Sequence, residues 1–154
     1  MHSNKSLNIL YTKTNLEKRE IDLIICYVLN INTAGLFIYD KEVSQKQQQQ
    51  IIKLCQQRLE GLPFAYITGL KSFWTLDLKV NKHTLIPRPE TEMLVELVLQ
   101  RTSLNFDGNI LDLGTGTGAI ALSIALERPK AQISAIDYSL ECLNIAQFNK
   151  DKYS

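Results

Sequence analysis

The sequence predicts an α/β protein with a helical first part, a β-hairpin, and then the beginning of a parallel sheet with helices on its faces. Three observations predict this fold class. Apolar residues recur at helical spacing up to position 59, and the period changes to two from Ser72. From Asn109 a strand, a glycine loop, a helix and a second strand follow one another, which requires a right-handed crossover and parallel pairing.

The first helix is predicted from apolar residues at positions 16, 23, 24, 27 and 28, which share one helical face. Thr14 or Asn15 is its expected N-cap. After the interruption at Gly35, residues 36–39 are expected to form a short apolar helix or turn.

A second helix is predicted from Ser44 to the stop at Gly61 and Pro63. Ser44 and Gln47 have the spacing of a capping box, in which each side chain satisfies a backbone N–H at the helix start. The four glutamines at positions 47–50 fall on the first turns, and we interpret them as a solvated helix face.

The alternating residues 76–80 predict a strand, and residues 85–86 are its expected hairpin partner after a turn at 81–83. Pro89 is well placed at the first position of the next helix. The expected buried face of that helix consists of Met93, Leu94, Leu97 and Val98.

The last part of the chain has a βαβα pattern. Residues 109–113 predict a strand, and the helix after the glycine loop extends to the stop at Pro129. Residues 131–136 predict a second strand that ends at Asp137, and a second helix follows it. The two strands are therefore expected to be parallel neighbours.

The glycine loop, defined here as residues 114–118, joins the first of these strands to its helix. Its members are Gly114, Thr115, Gly116, Thr117 and Gly118. Alternate glycines permit positive φ and a close approach of a ligand to the backbone, and the loop opens onto a helix N-terminus. Asp137 stands at the end of the next strand, where a carboxylate can accept the hydroxyl hydrogens of a ribose. Together these residues predict the binding site of a nucleoside-bearing cofactor.

The identity of that cofactor depends on Asp112. Gly114, Gly116 and Ala119 also match the dinucleotide pattern G-x-G-x-x-G/A. A carboxylate at Asp112, just before the first glycine, would repel a pyrophosphate, whereas S-adenosyl-L-methionine carries an ammonium and a sulfonium group. The spacing of Gly118 also departs from the NAD pattern. We therefore predict S-adenosyl-L-methionine as the cofactor.

Composition excludes several classes of protein. The 154 residues include 17 basic and 16 acidic side chains, so bulk charge does not provide affinity for nucleic acid or membranes. Residues 1–90 have a net charge of +4 and residues 91–154 one of −3.

No apolar run approaches the length of a membrane span and no signal core follows Met1, so a cytoplasmic location is expected. The separate Cys26, Cys55 and Cys142 are expected to be buried reduced thiols rather than metal ligands.

Three segments carry a resemblance to a known family. They are Gly69-x-x-x-Phe73-Trp74, the run LIPRPETE from Leu85 to Glu92, and the run ILDLGTGTGAIA from Ile110 to Ala121. In these segments the chain resembles the HemK-type protein-(glutamine-N5) methyltransferases, and the resemblance covers essentially the whole chain. The sequence PETE at 89–92 favours the release-factor branch over the enzymes that act on a ribosomal protein.

The resemblance implies a helical substrate-docking domain at 1–71, a β-hairpin linker at 72–88, and the N-terminal part of a Rossmann-like, S-adenosylmethionine-dependent methyltransferase domain at 89–154. It implies methyl transfer to the side-chain amide nitrogen of the glutamine in the GGQ loop of class 1 peptide chain release factors, which would be the partners. It assigns the five residues of the glycine loop to the methionine part of the cofactor and Asp137 to its ribose. It also places residues 88–92 near the cofactor pocket, without a specific role.

The family's catalytic Asn-Pro-Pro-Tyr motif occurs nowhere in this sequence, and no catalytic residue is assigned. Our hypothesis is that the chain alone has a cofactor site, does not catalyse methyl transfer and is marginally stable, since both edges of its two-stranded sheet would be unpaired. Three alternatives stay open: a module that docks a release factor without modifying it, an NAD-dependent oxidoreductase, and a methyltransferase acting on a ribosomal protein or a nucleic-acid base.

Overall fold

The computed structural model describes residues 5–153 and the side chains of residues 7–153. The expectation that no signal core follows Met1 partly concerns residues 1–4, which lie outside the described residues. The chain divides after Thr68 into two compact units. Among the described residues, no helix is both long enough and apolar enough to cross a membrane.

The first unit consists of helices α1 (Lys5–Thr12), α2 (Lys18–Leu29), α3 (Thr33–Phe37), α4 (Gln45–Leu59) and α5 (Phe64–Thr68). Apolar side chains of the first four helices form its core. The fully buried members include Leu7, Leu10, Ile24, Ile25, Ile51 and Cys55. The mainly helical character predicted for this part of the chain is confirmed.

The start predicted for the first helix is wrong. Helix α2 begins after Glu17, which has no side-chain capping bond. Thr14 instead follows the end of α1, where its hydroxyl donates to the carbonyl of Leu10 at 3.3 Å. Helix α1 has only eight residues, so its apolar side chains repeat too few times for the helical period to be recognised in the sequence.

The capping box at the start of α4 is confirmed. The Ser44 N–H donates to Gln47 Oε1 at 3.0 Å, and the Gln47 N–H donates to Ser44 Oγ at 3.3 Å. Gln49 and Gln50 are exposed, as expected of a solvated face, whereas Gln47 and Gln48 are half-buried. The helix ends just before Gly61, whose φ of +92° needs a glycine.

The second unit begins with a hairpin of β1 (Leu70–Phe73) and β2 (Leu76–Lys79). A 3₁₀ turn (Pro89–Thr91) leads into α6 (Glu92–Arg101). Then follow β3 (Asn109–Leu113), α7 (Ala119–Glu127), β4 (Gln132–Ile136) and α8 (Leu140–Tyr153). Strands β3 and β4 pair in parallel, so the predicted βαβα pattern and the α/β fold class are confirmed.

The strand pairing predicted for the hairpin is wrong. β2 pairs with β1 across a turn at Trp74 and Thr75, and Trp74 has a φ of +55°. Leu85 is 74% exposed and belongs to no strand. The turn at 81–84 is closed locally instead, since Asn81 Oδ1 accepts the His83 N–H and the Asn81 carbonyl accepts the Thr84 N–H.

The predicted buried face of α6 is also partly wrong. Met93 and Leu94 are more than half exposed, and the core contacts come from Val95, Val98 and Leu99. In the run MLVELVL from 93 to 99, apolar residues occupy more than one face of the helix. Their periodicity alone therefore does not determine which face is buried.

The three cysteines are free and buried, which confirms the burial predicted for them. Burial raises the pKa of the Cys55 thiol to about 11 and also raises that of Cys26. The Cys26 and Cys55 thiols are therefore protonated at neutral pH and contribute as apolar core side chains.

Candidate cofactor site

The glycine loop has a backbone that requires glycine at three positions. Gly114, Gly116 and Gly118 have φ angles of +76°, +56° and +81°. A Cβ atom at Gly114 or Gly116 would meet no atom within 4 Å, whereas at Gly118 it would lie 3.2 Å from Leu122 Cδ1. The missing side chain at Gly118 thus lets Leu122 of α7 pack closely against the backbone. Gly114 and Gly116 instead leave open space in front of the backbone.

The end of β4 holds the start of the loop. The Gly114 and Thr115 N–H groups both donate to the carbonyl of Ile136 at 2.9 Å. The Gly118 N–H donates to the carbonyl of Thr115 at 2.8 Å, which closes the loop just before α7 begins. The glycine loop and the end of β4, which Asp137 directly follows, therefore form one hydrogen-bonded site.

Asp137 is the residue that connects the two sides of this site. Its Oδ2 accepts the Gly116 N–H at 2.8 Å and its Oδ1 accepts the Ser139 N–H at 3.0 Å. The bonds from Ser139 and Gly116 lower the pKa of the carboxyl group, against a small opposing effect of burial. The carboxylate is therefore ionised at neutral pH, and each oxygen retains capacity for a further donor.

Asp112 adds a second carboxylate at the loop. The Thr115 hydroxyl donates to Asp112 Oδ2 at 2.7 Å, and Thr115 itself is buried. This bond fixes the orientation of the carboxylate at the end of β3. A cationic ligand group beside the loop would be attracted to it, and a phosphate would be repelled.

Sequence reasoning missed Asn149, whose fully buried side chain contacts the loop from α8. Its Nδ2 donates to the carbonyls of Thr117 and Lys79, and its Oδ1 accepts the Lys79 N–H. One available signal was its position: Asn149 lies on the same buried face of α8 as Cys142 and Ile145. A polar residue in an apolar stripe normally has specific partners.

Glu92, the last residue of the PETE sequence, supports the hairpin. Its Oε1 accepts the backbone N–H of Trp74 at 2.9 Å, and the Trp74 indole donates to Glu127 at 2.8 Å. Arg88 and Glu90 are exposed. The placement of residues 88–92 near a cofactor stays a prediction.

A cleft of about 560 Å³ lies between α7, β4 and α8. Thr115 and Gly118 line it, but Gly114, Gly116 and Asp137 do not. Most of its other lining residues are apolar, including Ala125, Ile133 and Leu143. This cleft therefore differs from the open region in front of the glycine loop.

Comparison with known protein families gives two adjacent matches. Residues 10–69 match the model of the PrmC N-terminal domain, and residues 89–154 match that of the methyltransferase small domain. The second match contains the glycine loop and Asp137.

Comparison with curated proteins gives relatives called release factor glutamine methyltransferase. The relative from Coxiella burnetii is 43% identical over 145 residues, which cover 94% of this chain and 52% of that protein. The relative from Xylella fastidiosa strain 9a5c is 43% identical over 135 residues, covering 87% of this chain and 49% of that protein. A relative from Thermodesulfovibrio yellowstonii is 41% identical over 143 residues, with coverage of 92% and 51%.

These relatives share with the chain more than two fifths of the aligned residues, and the chain spans about half their length. The two domain matches occur in the order in which the helical unit and the βαβα unit follow each other. Over most of its length the chain is therefore similar to release factor glutamine methyltransferases, and its two parts match the PrmC N-terminal domain and the methyltransferase small domain.

Proposed function

We propose that this chain provides the cofactor-binding part of a release factor glutamine methyltransferase and binds S-adenosyl-L-methionine at the glycine loop and Asp137. The observation that carries the proposal is the 2.8 Å bond between the Gly116 N–H and Asp137 Oδ2, which brings the loop and the end of β4 into one site. When bound, S-adenosyl-L-methionine supplies an electrophilic methyl group on its sulfonium.

The residues present fit such a ligand. A Cβ atom added to Gly114 or Gly116 would have no protein atom within 4 Å, so a ligand can approach this backbone closely. Asp137 can accept two ribose hydroxyls with its remaining acceptor capacity. The negative charge of Asp112 suits the ammonium and sulfonium groups better than the pyrophosphate of NAD.

For the whole protein we propose methyl transfer to the side-chain amide nitrogen of the glutamine in the GGQ loop of a class 1 release factor. The names of the relatives support this substrate. An amide nitrogen is a weak nucleophile, because its lone pair is delocalised into the carbonyl, so positioning and hydrogen bonding must provide most of the catalysis. This sequence contains no Asn-Pro-Pro-Tyr, and we assign it no catalytic side chain.

For the helical unit we propose a role in docking the release factor, in the cytoplasm where translation takes place. The separate match of residues 10–69 to the PrmC N-terminal domain supports this division of roles. A release factor pull-down that survives Gly116→Ala and Asp137→Ala would assign docking to the helices. Loss of the pull-down in these two variants, with folding unchanged, would contradict it.

Calorimetric titration tests the cofactor proposal. S-adenosylhomocysteine should bind the chain saturably, and NAD should not. Asp137→Ala should weaken binding by about tenfold or more, the consequence of losing hydrogen bonds to a charged group. Asp151→Ala, which removes an exposed carboxylate on α8, should leave the affinity unchanged. Preferential binding of NAD, or equal affinities for both variants, would refute the proposal.

A further inference from the structure

The side chain of Asn149 forms a three-way junction inside the second unit. Its Oδ1 accepts the Lys79 N–H at 2.7 Å, and its Nδ2 donates to the Lys79 carbonyl at 3.1 Å. The same nitrogen donates to the carbonyl of Thr117 at 2.9 Å. One side chain of α8 thus pairs with the end of β2 as a neighbouring strand would and also contacts the glycine loop.

The contact to the loop fixes one particular peptide group. The Thr117 carbonyl and the Gly118 N–H belong to the same planar peptide. Asn149 binds its carbonyl end, and the Thr115 carbonyl accepts its N–H end at 2.8 Å. This peptide is therefore held on both sides, directly after Gly116, whose own N–H is held by Asp137.

The chemistry of the junction is specific for asparagine. The Asn149 side chain is completely buried, and Thr117 is almost completely buried, so water cannot replace a lost bond without rearrangement. Aspartate has no N–H to give to the two carbonyls, and leucine can neither donate nor accept. Either change would leave the Thr117 carbonyl without this donor.

We infer that Asn149 is a positioning residue for cofactor binding: it holds the Thr117–Gly118 peptide, and with it the glycine loop, in the geometry that receives S-adenosyl-L-methionine. The inference rests on the proposed function. Asn149 acts through the loop backbone rather than by touching the ligand. Through Lys79 it also couples the loop to β2 of the hairpin.

The same helix offers a matched control. The Tyr153 hydroxyl accepts the Asp77 N–H at 2.7 Å and donates to the Asp77 carbonyl at 2.9 Å. Tyr153→Phe therefore removes a comparable pair of bonds between α8 and β2 that does not involve the glycine loop. Asn149→Leu and Asn149→Asp are the test variants. If Asn149→Leu does not fold, the measurement on Asn149→Asp decides the test.

The affinity for S-adenosylhomocysteine is measured by calorimetry under conditions where circular dichroism shows each variant folded. The Asn149 variants should bind about tenfold more weakly than the wild type, the effect of losing one buried hydrogen bond to the loop. Tyr153→Phe should lower the melting temperature without changing this affinity. Wild-type affinity in the folded Asn149 variants, or an equal loss in Tyr153→Phe, would overturn the inference.

A ligand-free measurement separates this inference from the proposed function. If the wild-type chain does not bind S-adenosylhomocysteine, the proposed function fails, and the backbone amide NMR signals of Gly116 and Gly118 decide on the positioning role. These signals should shift in the Asn149 variants and stay in place in Tyr153→Phe. Unshifted glycine signals in the Asn149 variants would show that Asn149 does not position the loop.

Discussion

At the residue scale, glycines with the same sign of φ have different roles in the loop. Gly116 leaves open space in front of its backbone, whereas Gly118 lies against Leu122 and Ala146. Alanine at either position is strained by about 1–2 kcal/mol because of its positive φ. The difference between the two positions therefore lies in what the added methyl group contacts.

Gly116→Ala should consequently weaken the binding of S-adenosylhomocysteine more than Gly118→Ala does, because its methyl group occupies the space that the ligand would use. Gly118→Ala should cost at least as much unfolding free energy as Gly116→Ala. Urea denaturation and calorimetric titration of both variants test this pair of expectations. Tighter binding by Gly116→Ala than by Gly118→Ala would contradict it.

The hydrogen bonds of Asp137 make the free energy of unfolding depend on pH. Its hydrogen bonds from Ser139 and Gly116 lower the pKa of the folded carboxyl below its value in the unfolded chain. The resulting stabilisation is present above the unfolded pKa, about 3.9, and is lost as the pH falls through the folded pKa. The unfolding free energy of Asp137→Asn should therefore fall less steeply below pH 4 than that of the wild type.

Urea unfolding at pH 5, 4 and 3 measures this difference. Asp151→Asn is the control, because it removes one exposed carboxylate of α8 and leaves the bonds of Asp137 in place. Parallel pH profiles for Asp137→Asn and the wild type would show that the ionised carboxylate does not stabilise the loop.

At the scale of elements, Glu92 connects α6 to the hairpin through the backbone of Trp74. Trp74 is the only tryptophan in the sequence, so its fluorescence reports on this turn alone. Glu92→Ala should shift the emission to longer wavelength and destabilise the fold by about 1.5–3 kcal/mol, as expected for a bond to a charged group. The partly exposed position of the carboxylate reduces this cost toward the lower figure.

Glu90→Ala is the matched control for this prediction, because Glu90 is an exposed acid two positions away. It should leave the emission maximum of Trp74 unchanged. The same shift in both variants, or no shift in Glu92→Ala, would show that the Trp74 turn does not depend on Glu92.

Local chemistry explains which elements could be predicted from the sequence. The capping box of α4 and the βαβα unit depend on residues close together in the chain, and both were predicted correctly. The partner of β2 was not, because the turn at Trp74 and Thr75 has no Gly or Asn to indicate it. Asn149 was missed because its partners, Lys79 and Thr117, are 70 and 32 positions away.

For the candidate site, the sequence indicated the glycine loop and Asp137 but not how they are connected. The bond between Gly116 and Asp137 depends on the parallel pairing of β3 and β4, which brings the ends of both strands to one edge. The assignment of these residues to a cofactor stays a prediction, and the titrations described above test it.

At the scale of the whole molecule, the β3–β4 sheet leaves part of its apolar surface exposed. Ile110 and Ile133 of the β3–β4 sheet pack into the core of the second unit, while Leu111, Leu113 and Ile136 are more than half exposed. Exposed apolar side chains this close together form a patch that favours association with other apolar surfaces.

The isolated chain should therefore enhance the fluorescence of the dye ANS, which binds exposed apolar surface. The double variant Leu111→Thr/Leu113→Thr should reduce this enhancement and leave the unfolding free energy nearly unchanged, because both side chains are already exposed. Ile110→Thr, which alters a side chain of the core, should lower stability instead. An unchanged ANS signal in the double variant would place the dye-binding surface elsewhere.

The functional assignment depends above all on the glycine loop and Asp137 forming the cofactor site. NMR mapping of bound S-adenosylhomocysteine on the ¹⁵N-labelled chain tests this directly. We expect saturable shifts that are largest for the amides of Gly114, Gly116 and Gly118 and for Ser139, whose N–H binds Asp137. No saturable change, or shifts confined to residues outside the loop and the end of β4, would contradict the assignment.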